Sequence, residues 1–257
     1  MISLGILTVA TNKYVEYWKN QARSISNSNI TGLDITLHVF TDDTRAVESF
    51  SEQLNVRVIA HEIPSLGWPD ATLLRYRLIS QFSEVIREDI LMHLDADMLL
   101  HRAISAEELV SGMKNGVCLV RHPGYYRPRG MKLLDLYRQN FRTASMDLYL
   151  MLKKGGLGLW ETRDNSAAFV PRGKRATYVC GGTWWGYRDE ILALCRELSS
   201  RIDSDLSVGE TAVWHDESHL NWWASVNNPG LADPSYCYAE GYPQLRDLTC
   251  IIEAVHK

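Results

Sequence analysis

The sequence has little of what marks secreted, membrane-spanning or nucleic-acid-binding chains. Its five cysteines are odd in number and form no CxxC pair, which argues against a disulfide framework and indicates free thiols in a reducing compartment. No apolar stretch is long enough to cross a bilayer. Lysine and arginine number 27 against 31 acidic residues, and the resulting net charge of −4 provides no basic face for nucleic acid or an anionic membrane.

The start of the chain also lacks a targeting signal. MISLGILTVATNKY has no basic region followed by a long apolar run, so we expect a first strand there rather than a signal peptide, and a cytoplasmic protein. Internal repeats and low-complexity segments are absent. The 257 residues, of which 46% are apolar, are enough to bury a core without a disulfide or a structural metal.

Strand-like and helix-like segments alternate along the first hundred residues. Strands are predicted over residues 2–10, 35–40, 56–59 and 90–94. Helices are predicted over residues 14–24 and from Pro69 onward, with Asp70 as the N-cap of the second. This order predicts βα units around a mostly parallel sheet, with ligands bound beyond the carboxyl ends of its strands.

The second half of the chain continues the α/β pattern with longer helices. A helical stretch is predicted over residues 131–153 and ends at Gly155-Gly156. A strand-like run over residues 178–185 surrounds a second pair of glycines. Helices then follow over residues 189–198 and 214–223.

Two aspartates, Asp95 and Asp97, directly follow the buried strand at residues 90–94. Side chains at positions i and i+2 share one face while a strand persists, so these carboxylates could bind Mn²⁺ or Mg²⁺ together with a substrate pyrophosphate. Such an ion would neutralise charge on a departing UDP. The alternatives are a turn with solvated acids, or a phosphatase of the haloacid dehalogenase type, whose aspartate nucleophile lies near the N-terminus instead.

The segment WHDESH, residues 214–219, is either the polar face of a helix or part of a site. His215 and His219 are spaced like zinc ligands, but a zincin needs glutamate directly after the first histidine, where this chain has Asp216. In the catalytic interpretation, Glu217 lies beside the anomeric carbon of a sugar and stabilises or attacks an oxocarbenium-like centre, as carboxylates do in glycosidases. The residues alone leave both interpretations open.

Aromatic side chains and a glycine pair accompany these motifs. The aromatic residues are Tyr125, Tyr126, Trp184, Trp185, Trp214, Trp222 and Trp223. They could stack on the C–H faces of sugars, although packing in the core is the more common role of such residues. Gly181-Gly182 would allow a ligand to approach the backbone closely, or would form a bulge or turn.

Taken together, these segments resemble glycosyltransferase family 6, the family of the histo-blood-group A and B transferases. The matching segments run in order along nearly the whole chain: ATNKYV (10–15), HVFTDD (38–43), WPDATLLRYRLI (68–79), HLDADM (93–98), RHPGYY (121–126), WETRDNSAAFVP (160–171), YVCGGTWWG (178–186) and AVWHDESHLN (212–221). The long match WHDESHLN, which follows a DxD and an HPGYY, is the most specific of them.

The resemblance implies a GT-A fold in a single domain over residues 1–257. Residues 1–100 would form its UDP-binding half, and residues 101–257 its acceptor-binding half. It also implies a retaining transferase that moves N-acetylgalactosamine or galactose from a UDP-sugar to the 3-hydroxyl of a galactoside in an α1,3 linkage. A catalytically silent homologue that binds UDP-sugar or glycan is the alternative, although such a binder needs neither the DxD nor Glu217.

By motif position, the resemblance assigns the nucleotide end of the site. The uridine pocket is expected to be lined by Val9, Ala10 and Tyr14. Arg75 is expected to reach the donor sugar or its phosphates. Asp95 and Asp97 are expected to bind the ribose and metal side of UDP. Lys257 or His256, in the segment IIEAVHK, would take the place of a family lysine that meets the UDP phosphates.

The resemblance also assigns the reacting end of the site. Asp216 is expected to hydrogen-bond the donor sugar, and His122 and Trp214 are expected to contact the acceptor. Glu217 is the candidate nucleophile. We assign it only the stabilisation of the anomeric centre, because covalent and front-face mechanisms both fit.

Donor choice is assigned to the glycine-containing strand. Cys180 and Gly182 occupy the positions that distinguish N-acetylgalactosamine from galactose, and Gly181 lies between them at the donor. The missing side chain at Gly182 favours UDP-N-acetylgalactosamine, without excluding UDP-galactose.

The chain also departs from the family pattern. Vertebrate members carry an N-terminal membrane anchor and stem, which we do not expect in this chain, so it is more similar to the bacterial-type members. Many bacterial-type members replace the DxD with asparagines and work without metal. Both aspartates are kept here, which predicts metal dependence. Residues 127–157 have no clear counterpart and are expected to be a helical insertion that forms a lid, an interface, part of the acceptor site or only a surface helix.

Overall fold

A computed structural model of the protein describes residues 1–28, 30, 32–128, 130, 137–138 and 140–255. Its strands are β1 (Ile2–Val9), β2 (Leu33–Thr41), β3 (Arg57–Glu62), β4 (Ile90–Leu94), β5 (Met98–Leu100), β6 (Val117–Arg121), β7 (Val179–Tyr187), β8 (Gly230–Ala232) and β9 (Ile252–Ala254). Its α-helices are α1 (Tyr14–Ser26), α2 (Thr44–Ser51), α3 (Asp70–Leu73), α4 (Arg75–Gln81), α5 (Ala106–Gly112), α6 (Phe141–Tyr149), α7 (Arg188–Ser207) and α8 (His215–Asn227). Within the described ranges, no helix is both long enough and apolar enough to cross a membrane.

A seven-stranded sheet with the order β3-β2-β1-β4-β7-β6-β8 forms the centre of the fold. The strands β3, β2, β1 and β4 are parallel neighbours, β6 and β8 are also parallel, and β7 runs antiparallel between β4 and β6. The predicted α/β class with a mostly parallel sheet is therefore confirmed. One sheet contains strands from both predicted halves of the chain, and β5 and β9 form a separate antiparallel pair.

Side chains of the central strands alternate between two hydrophobic layers, as strand geometry requires. On β1, Ile6 belongs to the layer that contains Trp18 of α1, whereas Leu7 belongs to the opposite layer, with Tyr76 of α4. All five residues of β4 are buried because helices cover both faces of the sheet there. The carboxyl ends of β1 and β4 therefore meet at one edge, where their polar end residues can form a site.

Most predicted elements of the first half lie where the sequence placed them, but the third helix differs. The predicted N-cap at Asp70 is wrong, because α3 begins at Asp70 and Pro69 takes the N-cap position without a side-chain cap. The Ala71 N–H already donates to the Gly67 carbonyl at 2.9 Å, so the turn starts before Asp70. The helix also breaks at Leu74, and α4 ends at Gln81.

The predicted insertion at residues 127–157 contains helix in its described part, as expected. Helix α6 covers Phe141–Tyr149 and continues as a π-helix over Leu150–Lys154. Gly155 ends it with a φ of +75°, a conformation that glycine adopts without strain. Residues 131–136 and 139 lie outside the described residues.

Candidate active site

Asp95 and Asp97 lie on a turn just beyond β4, not on the strand itself. The strand ends at Leu94, and the Met98 N–H donates to the Asp95 carbonyl at 3.0 Å. The expectation that strand alternation aligns the two carboxylates is therefore wrong, because the backbone turns between them. Both residues nevertheless line the same pocket.

Three hydrogen bonds that involve the backbone of Asp95 and Asp97 hold this turn. Gln21 of α1 donates from Nε2 to the Asp95 carbonyl at 2.6 Å. The Asp95 N–H donates to the Gly182 carbonyl of β7 at 3.0 Å, and the Val255 N–H after β9 donates to the Asp97 carbonyl at 3.0 Å. The turn is thus held from α1, from β7 and from the end of the described chain.

The pocket beside this turn contains most of the residues expected at the nucleotide. It is lined by Val9, Thr11, Tyr14, Trp68, Ala71, Thr72, Arg75, Asp95, Ala96 and Asp97. Ala10 differs, because its side chain is fully buried in the core and its N–H donates to the Phe40 carbonyl at 2.9 Å. His256 and Lys257, expected at the phosphates, lie outside the described residues.

Arg75 joins this pocket to the HDES segment. Its guanidinium is 3% exposed and lies 3.0 Å from Asp95 Oδ1 and 3.2 Å from Asp216 Oδ2. It also donates to the Gly181 carbonyl at 2.9 Å. Although burial opposes its charge, the carboxylates of Asp216 and Asp95 hold the pKa of Arg75 above its usual value. Two carboxylates distant in sequence therefore share one buried cation.

Glu217 lies beside the glycine pair of β7, at the start of α8. Its Oε2 accepts a hydrogen bond from the Gly181 N–H at 2.9 Å. Burial raises the pKa of Glu217 to about 7, against the lowering effect of the Gly181 N–H and of a hydrogen bond from Tyr178. Burial likewise raises the pKa of Asp216 to about 6, with Arg75 opposing the shift. Neighbouring carboxyl groups with shifted pKa values are typical of functional sites.

Asn221, one turn after Glu217, attaches α8 to β7. Its Oδ1 accepts from the Val179 N–H at 2.8 Å, and its Nδ2 donates to the Val179 carbonyl at 2.9 Å. Nδ2 also donates to the Glu217 carbonyl at 2.9 Å. The Asn221 side chain therefore sets the position of α8 along β7, with Glu217 facing Gly181.

His122 and Trp214, expected at the acceptor, are both connected to the surroundings of Glu217, His122 through Tyr178 and Trp214 as the residue before α8. The His122 ring packs 4.9 Å from the Tyr125 ring and 5.8 Å from the Tyr178 ring, measured between centroids, and Tyr178 in turn hydrogen-bonds Glu217. Burial lowers the pKa of His122 to about 4, so the ring is neutral near pH 7. Trp214 precedes α8 and is 45% exposed, which leaves it open to a ligand.

Packing explains the glycine at position 182 without reference to a donor. A Cβ there would lie 2.5 Å from Met98 Cε and 3.2 Å from Asp95 Oδ2. The space left by the missing side chain is therefore already occupied by the DxD turn. Cys180 is buried in the core, where its thiol hydrogen-bonds Cys237. The five cysteines are all free, as the sequence predicted.

The two histidines of the HDES segment have different partners. His215 lies edge-on to Trp68, with ring centroids 5.0 Å apart, whereas the buried His219 lies 3.5 Å from Asp205. Among the aromatic residues near the motifs, Trp184 and Trp185 are fully buried. Trp184 and Trp185 therefore pack in the core. Because His215 and His219 have different partners, they do not form a zinc site.

The donor set at the DxD turn fits a divalent cation only together with a ligand. In the described part of the chain, no group of three or more His, Cys, Asp or Glu side chains is arranged to hold a metal ion. Asp95 and Asp97 offer two hard carboxylates at one pocket. Mg²⁺ is commonly held by one or two carboxylates with phosphate oxygens and water, so this set suits an ion that arrives with a diphosphate.

Sequence reasoning missed several residues that build the site. Gln21, Tyr178 and Asn221 carry hydrogen bonds to the DxD turn, to Glu217 and to β7. Gln21 had a detectable signal, since it is a polar residue on the helix face that also carries Trp18 and Ile25. No local pattern distinguishes Asn221, because its partner is a strand distant in sequence.

Comparison with known proteins finds similarity to glycosyltransferases. Residues 153–257 match the model of glycosyltransferase family 6. The chain is 26% identical over 251 residues to histo-blood group ABO system transferase 1 of Rattus norvegicus, which covers 95% of this chain and 64% of that protein. It is 25% identical over 257 residues to globoside alpha-1,3-N-acetylgalactosaminyltransferase 1 of Homo sapiens, with 97% of this chain and 65% of the relative covered.

A bacterial relative is matched over most of its length. The chain is 25% identical over 253 residues to O-antigen biosynthesis glycosyltransferase WbnI of Escherichia coli, which covers 97% of this chain and 93% of that protein. By contrast, the chain spans less than two thirds of the length of the rat and human relatives.

Proposed function

We propose, from the premise that this chain is a relative of the family 6 glycosyltransferases, that it transfers a sugar from a UDP-sugar to an acceptor sugar with retention. The family match over residues 153–257 and the three named relatives support this premise. The α/β core with its seven-stranded sheet agrees with the GT-A fold that the motifs implied. The observation that carries the proposal is the shared cation Arg75, which brings Asp95 and Asp216 within 3.2 Å of one guanidinium.

The nucleotide would bind in the pocket between α1 and the DxD turn. Val9 and Tyr14 would face the uridine, and Arg75 would face the phosphates or the donor sugar. Asp95 and Asp97 would hold Mn²⁺ or Mg²⁺ together with diphosphate oxygens. The chemistry that such an ion supplies when bound is neutralisation of the negative charge on the departing UDP.

Asp216 is suited to bind a hydroxyl of the donor sugar. Its Oδ2 is buried and pairs with Arg75, yet it accepts no hydrogen bond from the described residues. A buried acceptor without a donor costs free energy, which a sugar hydroxyl would recover on binding. This arrangement supports a hexose donor, for which we propose UDP-N-acetylgalactosamine or UDP-galactose.

Glu217 would stabilise the positive charge that develops at the anomeric carbon as UDP leaves. It does so in its ionised form, held in place by the Gly181 N–H and by Tyr178. The acceptor would lie between His122 and Trp214, with its 3-hydroxyl directed at the same carbon. An α1,3 linkage on a galactoside is the product that we propose.

The alternative is a homologue that binds UDP-sugar or glycan without turnover. The raised pKa of Glu217 argues against this alternative, because a protein that only binds sugar does not need a desolvated carboxylate. UDP release from UDP-N-acetylgalactosamine, UDP-galactose and UDP-glucose, each with and without Mn²⁺, distinguishes the two. We expect turnover of a galactose-type donor that depends on Mn²⁺, and EDTA-resistant turnover would refute the metal role.

Variants at the two ends of the site give the sharper test. Removing a single group that stabilises a transition state costs roughly 10²–10³-fold in kcat, and we expect losses of this size for Glu217→Gln and Asp97→Asn. Asp34→Asn, an exposed change on β2, is the matched control and should keep full activity. Full activity of Glu217→Gln would remove this carboxylate from the chemistry.

A further inference from the structure

A second cavity, separate from the pocket at the DxD turn, is lined in part by Tyr178. It has a volume of about 290 Å³, near the lower limit of pockets that bind small molecules. Its lining includes Arg121, Tyr125, Tyr126, Arg127 and Tyr178. Because Tyr178 also hydrogen-bonds Glu217, one side chain separates this cavity from the proposed reacting carbon.

One of the two arginines in this cavity is neutralised by the protein itself. Arg127 donates to Asp147 of α6 from Nε at 2.7 Å and from Nη2 at 2.5 Å, in a bidentate pair. It also donates to the Gly124 carbonyl at 3.2 Å. Arg127 therefore forms a wall of the cavity, attaches the insertion to it and adds little net charge.

Arg121 has no such partner. It is the last residue of β6, beyond an irregularity in the pairing with β7, and it pairs there with Val179, next to Tyr178. Its side chain is partly buried, and none of the residues that the structure describes forms a hydrogen bond or ion pair with it. The other arginines at the site, Arg75 and Arg127, each pair with a carboxylate. Among the described residues, the cavity therefore has one positive charge, that of Arg121, with no carboxylate paired to it.

A guanidinium in this setting selects an oxyanion. Its planar fork matches carboxylate and phosphate in bidentate geometry, and partial burial strengthens the attraction relative to water. The tyrosines around it suit the C–H face of a sugar. A neutral sugar would leave the charge unpaired, so the cavity discriminates in favour of an acidic one.

We propose that this cavity is an acceptor subsite for an acidic glycan, in which Arg121 binds a carboxylate or phosphate on the residue next to the sugar that receives the new linkage. This inference rests on the proposed transferase function and adds the charge of its acceptor. Arg121 is then a residue that determines specificity, separate from the residues that carry the chemistry.

A matched set of acceptors tests the proposal. Lactose, the same disaccharide with glucuronic acid in place of glucose, and lactose 6-phosphate on the glucose residue differ only at the group that Arg121 would bind. We expect at least one acidic acceptor to have a kcat/KM about tenfold or more above that of lactose, the size of effect that one charge-assisted hydrogen bond provides. Whichever acid is preferred identifies carboxylate or phosphate as the natural group.

Variants of Arg121 separate its role from general damage. Arg121→Gln should abolish the preference, measured as the ratio of kcat/KM for the acidic acceptors to kcat/KM for lactose, whereas Arg121→Lys should keep part of it. Arg45→Gln, an exposed change on α2, is the control and should retain the whole preference. Equal use of lactose and both acidic acceptors, or a preference that survives Arg121→Gln, would overturn the inference.

UDP release without acceptor keeps this test independent of the proposed function. Donor hydrolysis with no preference for acidic acceptors would leave the transferase standing and remove the subsite. If no donor is turned over at all, the transferase proposal fails, and calorimetric titration of the two acidic disaccharides into the wild type and Arg121→Gln still decides the subsite. Binding of an acidic disaccharide that the variant loses supports it, and equal binding by both proteins contradicts it.

Discussion

At the residue scale, the site depends on how charge is balanced around Arg75. The guanidinium is nearly inaccessible to water, and Asp95 and Asp216 lie on two sides of it. Burial raises the pKa of both carboxyl groups, that of Asp216 to about 6 against the effect of Arg75 and that of Glu217 to about 7, and no described residue forms an ion pair with Glu217. These two adjacent carboxyl groups on one helix therefore have different proposed roles: Asp216 pairs with Arg75, and Glu217 faces the proposed reacting centre.

The raised pKa of Glu217 predicts that transfer fails in mild acid. The carboxylate must be ionised to stabilise the anomeric centre, so kcat/KM should be constant above about pH 8 and fall about tenfold per pH unit below about pH 6. Tyr178→Phe removes a hydrogen bond that lowers this pKa, so its midpoint should move to higher pH. A pH–rate profile of both proteins checks this, and an unchanged midpoint in Tyr178→Phe would assign the titration to another group.

The same shift has a consequence for stability, with the opposite sign from a salt-bridged acid. Because the folded state holds the Glu217 proton more tightly than the unfolded chain, whose pKa is near 4.5, stability falls as pH rises from about 4.5 to 7. Glu217→Gln should therefore be more stable than the wild type at pH 8, by on the order of 1 kcal/mol. Urea unfolding at pH 8 should detect this gain, and the gain should vanish near pH 4.

At the element scale, the proposed catalysis depends on the position of α8 along β7. Asn221 makes three hydrogen bonds, two to the backbone of Val179 and one to the Glu217 carbonyl. Asn221→Leu has similar volume but leaves buried backbone groups of Val179 without partners, at about 1–3 kcal/mol each. We expect a loss of about 3 kcal/mol in unfolding free energy, together with a fall in kcat larger than any rise in KM.

A neighbouring asparagine on the same helix provides the control. The Asn227 side chain donates to the Trp223 carbonyl of α8 itself, so Asn227→Leu should change neither unfolding free energy nor kcat appreciably. Urea unfolding and steady-state kinetics of the two variants give the comparison. Equal effects of the two substitutions would show that the attachment to β7 does not position Glu217.

The sequence predicts these elements well where their signals are local. The strand at Ile90–Leu94 is found as predicted, because an uninterrupted apolar run is typical of a strand covered on both faces. The N-cap at Asp70 is wrong, because the turn begins earlier through the Gly67 carbonyl. In the insertion, the helix over Phe141–Tyr149 continues as a π-helix, which its apolar composition did not reveal.

At the scale of the whole molecule, the site is made by pairings that no local pattern encodes. The antiparallel register of β4 with β7 sets Leu94 against Thr183, which places the Asp95 N–H on the Gly182 carbonyl. The same strand contacts α8 through Gly181 and Glu217. The motifs named the reacting residues, but only the sheet order shows that the DxD turn and Glu217 lie on either side of one glycine pair.

The central claim is therefore spatial, and crystallography tests it most directly. Crystals of Glu217→Gln soaked with UDP-N-acetylgalactosamine and Mn²⁺ should show an anomalous manganese peak beside Asp97, with the diphosphate on it and uracil near Tyr14. The anomeric carbon should lie within about 4 Å of the side chain at position 217, as a reacting geometry requires. Manganese and nucleotide bound away from the DxD turn, or a sugar directed away from position 217, would contradict the account.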